Sequence, residues 1–277
     1  MNFNEKLLSA SRRNKSLLCI GLDPDPALMP DVDVLEFNHR IIEATSDLVC
    51  AYKPNLAFFE AMGTHGLNVL ERSIEYIPDD IPVIADAKRG DIGNTARKYA
   101  HSLFDIFRFD AATVSPYLGH DSIQPFTDYA DKGIFILCST SNPGASDFQQ
   151  VQCHPGAGEN TIPLFEIVAR KAVEWDDNQN IGLVVGATQP DSLRRIRTLC
   201  PDMPLLIPGI GAQGGDLQSA VQNGTNASGE NAIINVSRQV LYASSGSNFP
   251  EAARAEASKI RDRINQALIE HQRPGHR

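Results

Sequence analysis

The 277-residue chain lacks the features that mark membrane, secreted or nucleic-acid-binding proteins. Its longest apolar runs are strand-sized, well below the roughly 20 residues of a membrane-spanning helix. No apolar stretch typical of a secretory signal follows the polar residues 1–15. The 25 Lys and Arg against 34 Asp and Glu give a net charge of −9, and no basic patch offsets it. These absences predict a cytoplasmic protein that binds neither nucleic acid nor a membrane.

Cysteine is scarce and scattered. The five cysteines are odd in number and form no Cys-x-x-Cys pair, so they predict reduced thiols rather than a disulfide framework or a zinc site. His154 beside Cys153 lacks the number and spacing of metal ligands, and no metal site is predicted. What is present, 42% hydrophobic and 21% charged residues, is typical of a globular protein with a sizeable core.

Short apolar, β-branched runs alternate with helical patterns along the chain. Several runs lack polar alternation, as expected for parallel strands buried on both faces. The eight predicted strands span residues 17–22, 49–53, 83–86, 111–114, 133–138, 181–185, 205–207 and 232–235. Eight βα repeats with no break in composition predict a single-domain TIM (β/α)8 barrel over residues 1–277, rather than an open doubly wound sheet.

Two helical patterns are the clearest. Residues 95–107 place apolar side chains at three- and four-residue spacing, with Asn94 as the predicted N-cap, and a second pattern runs from Pro250 to about His271. Residues 272–277 are predicted to be a disordered tail. The Ser-, Gly-, Pro- and Gln-rich segment 139–160 is long for a loop and predicts either a functional lid or disorder.

The densest charged cluster, Asp86-Ala87-Lys88-Arg89-Gly90-Asp91, stands at the end of the third predicted strand. Side chains two residues apart share a face of a strand, so Asp86 and Lys88 should both stand at the open rim where barrel active sites form. Asp91 in the following loop can bring a second carboxylate to the same ammonium. The alternative is a solvated salt bridge on an ordinary loop.

Two neighbouring strand ends repeat this pattern. Asp23 ends the first predicted strand and Lys53 the second, each above small or apolar residues on the same face. Charge in such a position is costly unless it is paired or faces a polar ligand. Either residue alone is compatible with an isolated polar strand end, but charges from three strand ends favour one shared site.

A second kind of site is indicated near the carboxyl end of the chain. Glycines in the loop after the seventh strand let backbone N–H groups approach an anion, and loops after strands seven and eight are the usual phosphate site of this barrel. Arg238, after the eighth strand, and Gln213 can add side-chain donors. Tight turns alone would also explain the glycines. The predicted phosphate loop comprises Gly209, Gly211, Ala212 and Gly214.

Hydroxyl and amide groups cluster in Ser139-Thr140-Ser141-Asn142-Pro143-Gly144-Ala145, after the fifth predicted strand. They can read the edge of a heterocycle, although turn-forming residues of this kind also build ordinary turns.

Taken in chain order, these motifs resemble the orotidine 5′-phosphate decarboxylase family, in its longer bacterial subgroup (type 2). The resemblance runs from the first predicted strand to the eighth, and its most specific part is the Asp-x-Lys-x-x-Asp run with its Ile-x-x-Thr continuation. Related barrels that act on sugar phosphates share only the shorter run. The matching segments are Gly21-Leu22-Asp23, Tyr52-Lys53-Pro54-Asn55, residues 86–95, Ser141-Asn142-Pro143-Gly144-Ala145, residues 208–215 and Arg238.

The resemblance implies decarboxylation of orotidine 5′-phosphate to uridine 5′-phosphate, the last step of de novo pyrimidine biosynthesis, without cofactor or metal. It implies that Lys88 protonates C6 of the pyrimidine, while Asp86 and Asp91 hold Lys88 charged and aimed. The implied substrate contacts are Asp23 and Lys53 at the ribose, Ser141 at the pyrimidine edge with Pro143 in the same segment, Gln213 and Arg238 at the phosphate, and Ile92 and Thr95, which with Asp91 reach into the partner's site of a homodimer.

Three other functions remain open at this point. A sugar-phosphate decarboxylase or aldolase would use Mg²⁺ to hold an enediolate, and it would need further acidic ligands near the rim. A Schiff-base aldolase would use Lys53 or Lys88 and would be trapped by borohydride. A non-catalytic nucleotide-binding barrel would keep the phosphate loop and Arg238 but would not need the Asp-x-Lys-x-x-Asp run.

Overall fold

Parallel strands and helices alternate around a barrel in the computed structural model, which describes residues 1–156, 158, 160–211 and 214–272. Two of the ten strands, β6 and β7, form a separate antiparallel pair in the segment after β5. The strands are β1 Leu18–Leu22, β2 Ala51–Pro54, β3 Ile84–Arg89, β4 Ala111–Val114, β5 Gly133–Ser139, β6 Gln152–Cys153, β7 Ile162–Pro163, β8 Ile181–Val185, β9 Leu205–Ile207 and β10 Ala232–Val236.

The other eight strands form one sheet in the order β2-β1-β10-β9-β8-β5-β4-β3. Its two edges meet through parallel bridges, Tyr52 to Val83 and Asn55 to Asp86, so the sheet closes on itself. This arrangement confirms the predicted (β/α)8 barrel, in which the carboxyl ends of all eight strands meet at one rim.

Amphipathic helices cover the outside of the barrel, each with its apolar stripe against the strands. They are α1 Phe3–Asn14, α2 Val34–Thr45, α3 Leu56–Glu60, α4 Gly63–Glu75, α5 Gly93–His101, α6 His120–Thr127, α7 Leu164–Glu174, α8 Pro190–Leu199, α9 Leu217–Gly224, α10 Arg238–Leu241 and α11 Phe249–Gln272. Within the described residues we find no helix whose length and hydropathy would allow it to span a bilayer.

The apolar core has two parts. The larger part lies between the strands and the outer helices, and the smaller part fills the barrel interior. Helix α1 closes the amino-terminal end of the interior, where Phe3 packs edge-on against Phe135 with ring centroids 5.6 Å apart. The interior is therefore packed at that end, and its polar residues lie at the opposite rim.

The predicted boundaries hold for β4, β8 and β9 and shift elsewhere. Strand β3 continues to Arg89, three residues past its predicted end. The N-cap of α5 is Ile92, not the predicted Asn94, because Gly93 takes a φ of +54° that costs glycine little and lets the helix begin earlier. At Ser102 this helix changes to a π-helical turn, Ser102–Ile106, so residues 95–107 do not form one continuous α-helix.

The carboxyl-terminal prediction is also partly corrected. Gln272, the first residue of the predicted tail, is the last residue of α11. Residues 273–277 lie outside the described residues. All five cysteines are free thiols, and four of them are buried in the core.

Arg197, near the end of α8, ties together the loops that precede the last two strands. Its guanidinium donates to the backbone carbonyls of Cys200, Met203, Gly224 and Asn231, at 2.6 to 3.0 Å, and to that of Pro201. Burial lowers the pKa of Arg197 to about 10. Since β9 and β10 lead directly into the predicted phosphate loop and Arg238, this hub fixes where those loops begin.

We expect Arg197→Met to lower the free energy of unfolding by about 3 kcal/mol, because it leaves several buried carbonyl groups without a donor. Chemical denaturation monitored by circular dichroism measures the change. The matched control is Arg194→Met, an exposed arginine of the same helix that pairs only with the exposed Asp191. The control should change stability by less than about 0.5 kcal/mol. Equal effects of the two substitutions would contradict the role of Arg197.

Candidate active site

A cavity of about 480 Å³ opens at the carboxyl-terminal rim of the barrel. Its size suits a small-molecule ligand, for which pockets of roughly 300 to 1,000 Å³ are usual. Its walls come from the ends of the strands and the loops that follow them. The predicted site residues that line it are Asp23, Lys53, Asp86, Lys88, Ser141, Gly209 and Arg238.

Three charged side chains from two adjacent strands form a continuous chain inside this cavity. The Nζ atom of Lys53 donates to Oδ2 of Asp86 at 2.8 Å, and the Nζ atom of Lys88 donates to Oδ1 of the same carboxylate at 2.5 Å. The Lys53 and Asp86 side chains are only 5% and 11% exposed, whereas that of Lys88 is 52% exposed. One buried carboxylate therefore serves two ammonium groups, of which only the second reaches the open space.

The electrostatics of this chain keep all three groups charged. Burial by itself raises the pKa of Asp86, but the charges and hydrogen bonds of Lys53 and Lys88 more than offset it and hold that pKa well below its usual range. Burial by itself lowers the pKa of Lys53, but the charges of Asp86 and Asp23 and the hydrogen bond from Asp86 raise it above its usual value. The site thus holds fixed charges in a poorly solvated environment, where they act most strongly.

Asp23 presents an acceptor that no described residue uses. Its Oδ1 atom is buried and has no hydrogen-bond partner within the described ranges. The backbone is fixed by Tyr242, whose hydroxyl donates to the Asp23 carbonyl at 2.6 Å and accepts from the Asp25 N–H at 2.7 Å. A buried acceptor without a partner is costly, so this position suits a ligand hydroxyl.

Strand β3 reaches the rim through a bulge rather than as a regular strand. The pairing with β4 passes from Ala85 opposite Ala112 to Arg89 opposite Val114, so β3 carries two extra residues. Within the bulge Lys88 has a φ of +46°, a conformation that residues other than glycine rarely adopt. The bulge is the local feature that directs the Lys88 side chain to Asp86.

The loop after β9 has the backbone freedom expected of a phosphate loop. Gly209, Gly211 and Gly214 have φ values of +99°, +75° and +82°, and the Gly215 N–H closes the loop by donating to the Gly209 carbonyl at 3.0 Å. Gly209 lines the cavity, whereas Gly211 and Gly214 do not. Ala212 and Gln213 lie outside the described residues.

Arg238 stands across the cavity mouth from this loop, as the first residue of α10. Its side chain is exposed, and it forms no ion pair with any residue that the structure describes. A guanidinium in this position is available to a ligand anion.

The segment after β5 is folded around an amide clamp. The Gln149 Oε1 atom accepts from the Thr140 N–H at 2.7 Å, while its Nε2 atom donates to the Thr140 hydroxyl at 2.9 Å. This clamp places Ser141 in the cavity wall. Pro143 begins a 3-10 turn, Pro143–Asp147, and lines a neighbouring crevice instead of the cavity.

The predicted Asp91, Ile92 and Thr95 do not line the cavity of their own chain. Oδ1 of Asp91 accepts from the Ile92 N–H at 2.8 Å, and among the described residues Asp91 has no ion pair with Lys88. Ile92 is 53% exposed, and Thr95 is exposed as well. Within one chain, Asp86 is therefore the one carboxylate that contacts Lys88 in the described ranges.

The structure adds cavity residues that the sequence analysis did not select. The floor is apolar, formed by Leu137, Val184 and Leu206, with Asn235 beside them. The Oδ1 atom of Asn235 is buried and has no partner within the described part of the chain. Thr113 of β4 also faces the cavity. A polar residue inside an otherwise apolar strand, as at Asn235 and Thr113, was the available signal for both.

Comparison with known proteins gives the family. Residues 16–254 match the family model "Orotidine 5'-phosphate decarboxylase / HUMPS family". A protein of Dehalococcoides mccartyi named orotidine 5′-phosphate decarboxylase is 56% identical over 266 residues, covering 96% of this chain and 98% of the relative. A protein of the same name from Roseiflexus castenholzii is 51% identical over 275 residues, covering 97% and 99%.

Solved structures agree with the sequence comparison. The Leishmania donovani OMP decarboxylase is 40% identical, with a TM-score of 0.85, covering 97% of this chain and 100% of that one. The Leishmania donovani UMP synthase is 42% identical, with a TM-score of 0.88, covering 97% of this chain and 57% of that one. With one family model spanning most of its length and relatives of this identity along nearly all of it, the chain belongs to the orotidine 5′-phosphate decarboxylase / HUMPS family.

Proposed function

We propose that this protein is a decarboxylase that converts orotidine 5′-phosphate to uridine 5′-phosphate and CO2, the last step of de novo pyrimidine biosynthesis. The observation that carries the proposal is the Lys53–Asp86–Lys88 chain, in which a buried carboxylate holds an ammonium at the mouth of the cavity. The names of its relatives support the same reaction.

The chemistry asks for charge stabilisation more than for a covalent intermediate. Loss of CO2 from C6 leaves an electron pair in the plane of the pyrimidine ring, where the π system cannot delocalise it. An ammonium fixed beside C6 stabilises that pair without reorganisation, which is how preorganised groups contribute most to catalysis. Lys88 then transfers a proton from Nζ to C6. Asp86 orients Lys88 and keeps it protonated until that step.

The remaining cavity residues are proposed to position the nucleotide. The phosphate lies between Arg238 and the Gly209 end of the glycine loop, with Gln213 as a further donor. The ribose hydroxyls meet Asp23, whose Oδ1 atom has no partner in the described ranges, and Lys53. The pyrimidine edge meets Ser141, above the apolar floor. Because the phosphate site is remote from C6, its binding energy can hold the reacting carbon against Lys88.

We further propose a cytoplasmic homodimer. Asp91, Ile92 and Thr95 face away from their own cavity, and Ile92 exposes an apolar side chain. In the proposed dimer this stretch enters the partner's site, where Asp91 supplies the second carboxylate beside Lys88. Burial of the Ile92 side chain between the two chains would favour association.

We expect Lys88→Ala to lower the turnover of orotidine 5′-phosphate by about a thousandfold or more, because it removes both the stabilising charge and the proton donor. Affinity for uridine 5′-phosphate should stay within about threefold, since the product-binding groups remain. The loss of orotidylate absorbance in metal-free buffer measures turnover, and titration calorimetry measures affinity. Lys259→Ala, on the exposed face of α11, is the control. Retained turnover in Lys88→Ala would reject the assignment.

Mixing two inactive variants tests the shared site. Lys88→Ala and Asp91→Ala chains should each be inactive alone but regain activity when they are mixed and allowed to exchange. In a hybrid dimer one of the two sites then receives both an intact Lys88 and an intact Asp91. The assay is the same absorbance change, with each variant mixed with itself as the control. If activity stays at the level of the single variants while hybrid dimers form, Asp91 does not act in the partner's site.

The charge chain also predicts a pH dependence of stability. The depressed pKa of Asp86 gives stabilisation that is present above about pH 4 and lost as the pH falls toward the folded-state value. The raised pKa of Lys53 gives stabilisation that is present below about pH 10 and lost above it. Asp86→Asn should therefore lower the free energy of unfolding by about 3 kcal/mol between these limits, and by less as the pH falls below 4.

Denaturant titrations from pH 3 to pH 9 measure this difference. Asp47→Asn, which breaks the exposed pair with Arg254, is the matched control and should cost less than about 1 kcal/mol. An Asp86→Asn penalty that does not shrink under acid conditions would show that the carboxylate charge contributes nothing to stability.

A further inference from the structure

We propose that Thr113 is a positioning residue for the reaction: its hydroxyl holds the bulge of β3 in the conformation that places the Lys88 ammonium beside Asp86. The inference rests on the proposed role of Lys88 as the acid. It concerns a residue of the neighbouring strand, whose side chain reaches β3 from β4.

The bulge leaves backbone groups that the sheet cannot satisfy. Strand β3 has three residues, 86 to 88, between its pairing of Ala85 with Ala112 and its pairing of Arg89 with Val114, whereas β4 has only Thr113 in the same interval. The regular ladder of parallel strands therefore supplies no carbonyl acceptor to the N–H groups of Ala87 and Lys88. Buried backbone donors without acceptors are rare because they are costly.

The Thr113 hydroxyl takes the place of the missing carbonyls. Its Oγ1 atom accepts from the Ala87 N–H at 3.0 Å and from the Lys88 N–H at 2.9 Å. A hydroxyl has two acceptor sites and one proton to donate, so both acceptor sites are filled. The proton faces Oδ1 of Asp86 at 3.3 Å and the Ala85 carbonyl at 3.5 Å. Thr113 is 1% exposed, so water does not compete for these bonds.

The backbone of Lys88 requires such an anchor. Its φ of +46° is unfavourable for a side chain with a Cβ atom, and conformations of this kind persist where the surroundings hold them. The bond from the Lys88 N–H to Thr113 is a direct contact of this strained residue with the neighbouring strand. The same hydroxyl faces Oδ1 of Asp86, the atom to which Lys88 donates, so it fixes both ends of the pair.

Thr113→Val tests the inference, because it keeps the shape of the side chain and removes only the hydroxyl. We expect the kcat for orotidine 5′-phosphate to fall about 100-fold, as for a misplacement of a catalytic group by about 1 Å. KM and the affinity for uridine 5′-phosphate should change less than about threefold, since the phosphate and ribose contacts are elsewhere. Thr113→Ser, which restores the hydroxyl, should recover most of kcat.

A matched control separates positioning from loss of stability. Thr225→Val removes another buried threonine hydroxyl, one that donates to the Val221 carbonyl at the end of α9, away from the cavity. It should lower the unfolding midpoint and leave kcat unchanged. If Thr113→Val does not fold, Thr113→Ala against Thr113→Ser provides the same comparison, since these two variants differ from each other by the hydroxyl alone.

The outcomes distinguish this inference from the proposed function. If Lys88→Ala is inactive while folded Thr113→Val, or Thr113→Ala in its place, turns over within about threefold of the wild type, the role of Thr113 is overturned and that of Lys88 stands. A rise in KM with unchanged kcat would likewise overturn it, since the hydroxyl would then serve binding. If Lys88→Ala itself stays active, the proposed function fails, and the inference fails with it.

Discussion

The buried carboxylate of Asp86 is the element on which the whole site depends. A lone charge in that position would be strongly destabilising, and it persists because two ammonium groups donate to it from opposite sides. Lys53 is held inside the barrel wall, so its charge serves the carboxylate. Lys88 extends into the cavity, so its charge is available for chemistry. The asymmetry in burial between the two lysines divides one network into a structural half and a reactive half.

Barrel closure is what brings these groups together. Asp86 lies 33 residues from Lys53 along the chain, yet the bridge between Asn55 and Asp86 makes the ends of β2 and β3 neighbours. The register of β1 against β2, with Gly21 opposite Lys53, then places Asp23 beside the same pair. Contacts across the barrel of this kind are fixed by strand order and register, and the packed apolar interior below gives them a rigid base.

The sequence was most informative where a local pattern dictates structure, and least where distant residues meet. Buried parallel strands such as β4 and β8 were found at their observed ends because each is a short apolar run. Period-two reasoning placed Asp86 and Lys88 together, but it assumed a regular strand and missed the bulge, which lysine does not favour by itself. The contact of Tyr242 with Asp23 joins residues 219 positions apart, so no local pattern indicates it. For Asp91, Ile92 and Thr95, the single chain leaves their assigned roles as proposals.

The seal that α1 forms at the amino-terminal end of the barrel, with Phe3 set against Phe135, also bears on molecular traffic. Side chains fill the axis at that end, so it offers no rear exit for a small gas. A nucleotide entering, the CO2 it loses and the nucleotide that remains would all share the single doorway at the rim. Any covering of that doorway during the reaction would retain gas and nucleotide alike, and reopening it would release both.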